Sequence, residues 1–360
     1  MHLKKINLPA DHQAHDSVVE WWYFNGHLED NEDKQYSHMD CFFRVDLQKS
    51  AIPFLKHLPQ SMPLTSRKHV CFAHSVLSDI DRQKNYKAVQ NISLVSDDSF
   101  NKELLFINYI NPFILMGYTN NEIVEIESNV FQVKTEHVDL TLRPIKKPLL
   151  SRGTGHISLG GDESYYYSMT DFDTTGTISV EGKTLEVKGR SWMDHQWADS
   201  SYRHDKWSWF SLKLDNGTDI MCCEYGVDDK KDYLVELIEK SGKTKHFDKF
   251  ILKPGTKIWQ SKLTKAEYPM TWEIEIPEHE TKLEVKSLAT DQEMIFLAIN
   301  YWEGPIEITG TIGGKAVKGR GFMELVGYPS DYNYLMVSGK EMGEKVAREL
   351  NSQVLKKIFG

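Results

Sequence analysis

Along most of this chain apolar and polar positions alternate with period two in short runs separated by turn-forming residues, the pattern of half-buried antiparallel strands. The first run, residues 18–24, is β-branched and aromatic and leads into Asn25-Gly26, which reads as a turn or bulge. Its alternation puts Glu20 and Trp22 on one face and Trp21 and Tyr23 on the other. Further runs are expected at 35–46, 69–78, 103–110 and 123–143, and in the second of these His74 sits between Phe72 and Val76 on one face. Residues 52–66 carry Pro53, Pro59 and Pro63 and predict a long loop over a barrel mouth. From residue 153 onward hairpins dominate. Glu181-Gly182 joins 177–180 to 184–187, and Asp215-Asn216-Gly217 joins 206–214, where Trp207, Trp209 and Ser211 share a face, to 218–225, where Ile220, Cys222 and Glu224 do.

Strands continue at 233–238, 246–251, 268–276, 282–286 and 306–312, and a Gly313-Gly314 turn leads to 319–328, in which Phe322, Glu324 and Val326 share a face. Only the end changes period: Met342, Val346, Leu350, Val354 and Ile358 recur at i+4, the stripe of an amphipathic helix packed on a sheet. The pattern predicts an all-β protein of two antiparallel barrels in tandem with a C-terminal amphipathic helix. At 360 residues the chain is long for one core, and the expected division is 1–200 and 201–360.

Within this pattern the densest chemistry lies at residues 189–201, GRSWMDHQWADSS. Extended, it places Trp192, Asp194 and Gln196 on one face and Met193, His195 and Trp197 on the other. Each face then pairs a polar group with an indole, as an apolar pocket with a few convergent polar groups requires. Glu224, sharing a strand with Met221 and two thiols, and Glu324 on the last strand are the other candidate buried acids.

Composition removes several classes. A net charge of −9 without a Lys/Arg cluster argues against nucleic acid and against a polyanionic substrate. The four cysteines form no C-x-x-C, which suits a reducing cytosol, and no leader-like or membrane-length apolar stretch is visible, so a soluble cytoplasmic protein without membrane insertion is expected. The His12/His15 pair with Asp11 and Asp16 lacks the spacing of a closed metal site and reads as a capping segment. No G-x-S-x-G, Walker loop, strand-borne G-x-G-x-x-G or H-E-x-x-H is present. Cys222 and Cys223, in a strand, have no reason to be nucleophiles.

Three blocks together resemble the AttH-like and carotenoid 1,2-hydratase proteins: H-x4-EWWY-x2-GHL at His15 to Leu28, G-x-x-W-x-D-H-x-W at Gly189 to Trp197, and YWEG with GRGFMELVGY at Tyr301 to Gly304 and Gly319 to Tyr328. The resemblance implies two lipocalin-like barrels with a ligand cavity near their junction. It also implies hydration of an isolated C=C of an isoprenoid, or pericyclic closure of a polyene, without a cofactor. In the hydratases an H-x-W pair is followed by Tyr-x-Asp on the next hairpin. His195 and Trp197 match the first, while Cys222 and Glu224 stand at the second, so the acid is kept in kind and the tyrosine is lost.

Hydrating an unactivated alkene needs a proton delivered to carbon by an acid whose pKa burial has raised, and a shield for the cation that forms. Asp194 or Glu224 as acid, His195 orienting water, and Trp22, Trp192, Trp197 and Trp209 as wall, with Cys222, His74 and Glu324 against the ligand, would fit that scheme. A cyclase would use the same walls to hold a reactive conformer. A carrier of a hydrophobic small molecule would use them only to bind.

Overall fold

The computed structural model describes residues 5–46, 49, 69–95, 104–109, 121–200, 206–227, 230–296 and 299–328. Two antiparallel sheets account for nearly all of them. The first is ordered from Lys84–Val95 through His69–Asp79, Gln35–Asp46 and Val19–Asp30 to Lys183–Ala198, Asp162–Val180, Val138–Pro144, Val130–Lys134, Asn121–Glu127 and Phe106–Tyr109. The second runs from Thr244–Phe247 through Lys230–Ile238, Asp219–Val227 and Trp207–Leu214 to Lys315–Val326, Ile299–Ile312, Thr281–Ser287, Thr271–Ile276 and Ile251–Pro254. In each, the first long strand pairs with the last, closing a lipocalin-like barrel: Trp22 lies opposite His195, and Trp209 opposite Glu324.

Period-two sequence decides what faces where. In the first barrel Trp22, Phe24 and Leu28 point inward with Phe42, Met193 and Trp197, while Tyr23 points out. Phe210, Leu212, Ile220 and Cys222 fill the second. The outward faces of both, through Tyr23, Tyr166, Trp192, Trp209, Cys223 and Tyr301, meet in a third apolar cluster between the barrels. Strands such as Trp207–Leu214 are therefore largely buried on both sides, with only the small Ser208 and Ser211 among the buried apolar residues from Ser208 to Leu212.

Several local expectations change. Asn25-Gly26 is no turn: the strand Val19–Asp30 runs straight through it, and Gly26 is required because a Cβ there would sit 2.4 Å from Ser191 Oγ and 2.6 Å from His38 Nε2. The run at 123–143 is three strands, broken by a tight turn at Asn129 (φ 63°) and by residues 135–137. The Glu181-Gly182 turn has positive φ at both positions, 51° and 80°, the type I′ geometry that matches strand twist. The proline-rich loop at 52–66 and the helical stripe at 342–358 lie outside the described residues.

Candidate functional site

Between the barrels lies a cavity of about 370 Å³. Three carboxyl groups face it, Asp194 from the first barrel and Glu303 and Glu324 from the second, among aromatic side chains that include Trp21, Tyr23, Tyr166, Trp207, Trp209 and Tyr301. Asp194 accepts hydrogen bonds from Ser168 Oγ (2.5 Å), Trp192 Nε1 (2.7 Å) and Tyr166 OH (2.8 Å), and Tyr166 in turn accepts from Trp209 Nε1 at 2.9 Å. Burial pushes the Asp194 carboxyl up to about 7 against the pull of these three donors. Burial, reinforced by the nearby Glu324, holds the Glu303 proton well above the usual carboxylate range, against a lesser opposing pull from the Tyr23 hydroxyl. Glu324, half-buried, accepts from Trp207 Nε1 at 2.8 Å, and loss of solvent raises it to about 7. His74 bonds Tyr301 OH through Nδ1 at 2.5 Å, and burial lowers its imidazole to about 3, so it is neutral.

A raised carboxyl pKa stabilises the fold below the unfolded value and withdraws that stability as pH climbs through the folded one. Glu324→Gln is therefore expected to gain on the parent protein between pH 5 and pH 8, by about 1–2 kcal/mol after allowance for partial solvation. Urea denaturation at the two pH values measures it, and an unchanged gap would refute the raised pKa.

The strand Lys183–Ala198 splits the central sequence motif between two environments. Asp194 and Gln196 line the junction cavity, and Trp192 braces Asp194 from behind. His195 and Trp197 point the other way, into the first barrel. There His195 Nε2 lies 2.9 Å from Glu20 Oε1 and its Nδ1 3.1 Å from Tyr167 OH. Glu20 also takes His15 Nδ1 at 2.8 Å and the Arg44 guanidinium at 2.8 Å, while Trp197 stacks on His15 with ring centroids 3.6 Å apart. Burial lowers the His195 imidazole to about 4 despite Glu20. For Glu20 burial acts upward, but the hydrogen bonds of His15 and His195 and the charge of Arg44 outweigh it and hold the carboxyl at about 2.

Asp194 and His195 thus do not serve one site, because neighbours on a strand face opposite ways. Trp22 stacks on His195 in the barrel interior and gives its Nε1–H to the His12 carbonyl, and its neighbour Trp21 lines the cavity instead. Cys222 fills the second barrel, with Cys223 at the cavity. Glu224, within the strand Asp219–Val227, forms an ion pair with Lys231 at 2.8 Å. Of the residues singled out in the sequence, the structure gathers Asp194, Trp192, Trp209, Glu324 and His74 at or beside the cavity. It adds Glu303, Tyr23, Tyr166 and Tyr301. Glu303 and Tyr301 stood in the YWEG block, where an i, i+2 acid–phenol face was the available signal.

His15, Glu20 and His195 bring three ligand-type atoms within 4.8 Å of one another. Both histidines direct the facing nitrogen at Glu20 Oε1, and Arg44 occupies the other oxygen, so a divalent ion would displace the imidazole hydrogen bonds and sit beside a guanidinium with one carboxylate for compensation. The donor set fits a structural brace better than a metal. A wider groove of about 520 Å³ is lined by Lys146, Asp171, Arg190, Lys213 and Asp219. Its charges pair with one another, as in Lys146–Asp219 at 2.6 Å and Arg190–Asp171.

The AttH-like family model matches residues 2–328. The chain belongs to the AttH-like family. It is 23% identical over 197 residues to kievitone hydratase of Fusarium solani subsp. phaseoli, covering 52% of this chain and 56% of that protein. It is also 23% identical over 207 residues to the dehydratase asqC of Emericella nidulans, covering 52% and 57%. The chain thus spans about half the length of the curated relatives it matches. The crystal structure of a protein assigned as AttH from Nitrosomonas europaea superposes with a TM-score of 0.73 at 27% identity, over 91% of this chain and 98% of that one. Among the described residues no helix is long and apolar enough to cross a membrane.

Proposed function

We propose that this protein is a hydro-lyase that adds water to, or removes it from, a small and mostly apolar isoprenoid-like molecule held in the junction cavity. The observation that carries the reading is the unequal setting of two carboxyls in one aromatic chamber. Burial raises both, but at Asp194 three hydrogen-bond donors pull against it and leave the carboxyl at about 7, whereas at Glu303 a neighbouring acid adds to it and holds the proton more firmly. Two acids pushed apart in this way are suited to opposite roles. In hydration Glu303 gives its proton to an alkene carbon, the indole faces of Trp207 and Trp209 stabilise the cation, and the water that adds loses its proton to Asp194. Dehydration runs the same transfers backward. The scheme asks nothing of a cofactor, and the names of the two relatives, a hydratase and a dehydratase, accord with it.

Incubation with isoprenoid alkenes and with β-hydroxy ketones in H2 18O, followed by mass spectrometry, tests the reading. A labelled adduct, or loss of one water from the ketone, is the expected result in the parent protein and not in the Asp194→Asn, Glu303→Gln double variant. Tight binding with neither change would make the protein a carrier and overturn the proposal.

A further inference from the structure

The register of the second barrel places Glu303 directly opposite Glu324 on neighbouring antiparallel strands. Both side chains face the junction cavity, and among the described residues no lysine, arginine or histidine lines it. Like charges in directly opposed positions destabilise a sheet, and buried carboxylates normally find a cation. Several buried carboxylates elsewhere in this chain have one, Glu20 with Arg44, Asp171 with Arg190 and Lys213, and Asp219 with Lys146, while Glu293 is met by the hydroxyls of Ser261, Thr264 and Tyr268 without an opposed acid. At the cavity it provides instead an indole N–H from Trp207 to Glu324, the Tyr23 phenol on the lining with Glu303, and the ring of Trp209 in register with Glu324. Two opposed acids with aromatic faces and, among the described residues, no cation beside them make a site that a positive charge would complete.

We infer that the Glu303–Glu324 pair and the indoles of Trp207 and Trp209 form a cation site, and that the cavity binds apolar amines in their protonated form, with the ammonium nitrogen between the two carboxyls. Carboxylate or phosphate ligands of the same size are disfavoured, because they would meet three acids and, among the described lining residues, no counter-ion. The inference rests on the reading of this cavity as the reaction chamber. There the same pair would face positive charge developing on a substrate carbon, and an amine of matching shape is a stable mimic of that charge. At neutral pH the opposed acids share protons as a coupled pair, and an arriving ammonium releases part of them.

Isothermal titration of the full chain at pH 7.5 decides the matter with three probes that share a naphthalene body: N,N-dimethyl-2-(2-naphthyl)ethylamine, 3-(2-naphthyl)propan-1-ol and 3-(2-naphthyl)propanoate. The amine is expected to bind at least about tenfold more tightly than the alcohol, corresponding to roughly 1.4 kcal/mol, and the carboxylate not to bind. In the Glu303→Gln, Glu324→Gln double variant the amine should fall to the level of the alcohol while the alcohol keeps its affinity. If the double variant loses the alcohol as well, Glu324→Gln alone, at the half-buried position, must reduce the amine preference. Equal affinities in the parent protein, or a preference that survives the substitutions, would overturn the cation site. Binding of the alcohol reports the cavity independently, and the labelled-water assay reports turnover, so a failed amine preference leaves the hydro-lyase reading standing or falling on its own result.

Discussion

Glu303→Gln is expected to lower kcat for water addition or removal by about 10²- to 10⁴-fold, the range lost with a general acid, with little change in KM. Glutamine keeps the volume and the hydrogen-bonding capacity of the side chain but carries no acidic proton. The fold should be at least as stable, since an amide does not incur the cost of ionisation in a buried position. Glu303 is 3% exposed and its carboxyl sits opposite another acid, so the parent protein bears that cost whenever the proton leaves. Glu224→Gln is the discriminating comparison. The sequence offers Glu224, along with Asp194, as the candidate acid, but the structure commits it to Lys231 at 2.8 Å, outside the cavity lining. Steady-state rates for the two variants beside thermal melting curves separate the cases. A Glu303→Gln protein with the parental rate would end its role as proton donor, and a collapse in Glu224→Gln alone would return the chemistry to the hairpin the family resemblance suggested.

The fold was legible because alternation is a one-dimensional signal. Residues 18–24, 206–214 and 319–328 each announced a strand and the composition of its two faces, and Glu181-Gly182 announced its hairpin. The alternation at 189–201 even separated Asp194 from His195 correctly, yet sequence proximity invited both into one site. Two closed barrels give every strand an inside and an outside, and nothing local tells which face belongs to the barrel interior and which to the junction. Trp21 and Trp22 show the same ambiguity: adjacent indoles, one at the cavity and one in the core. Glu303 escaped notice for a different reason. Its importance comes from standing opposite Glu324 and near Asp194 on the other barrel, contacts that only the sheet register and the packing of the two barrels create.

Arg44→Met is expected to cost about 3–5 kcal/mol of stability at pH 7, the usual consequence of leaving one member of a buried ion pair without its partner. Glu20 is fully buried and receives Arg44 at 2.8 Å, and two imidazoles cannot replace a permanent charge when burial keeps His195 neutral. The pH dependence has a definite sign. The Glu20 carboxyl is held at about 2 in the fold against 4.5 for an ordinary glutamate, so its contribution is complete above about pH 4.5 and is lost as pH falls toward 2. In Arg44→Met the folded value rises toward the unfolded one, and the acid loss of stability between pH 4.5 and 3 should flatten. Urea denaturation across that window measures both effects, and a loss below about 1 kcal/mol with an unchanged acid slope would refute the brace. The consequence reaches the junction through the strand Val19–Asp30 itself. Glu20 and Trp22 anchor one face inside the barrel, and Tyr23, between the positions that face inward, stands opposite Asp194 in register and lines the cavity with Glu303. A loosened brace displaces that phenol, so the variant should also lose activity out of proportion to its remaining folded fraction.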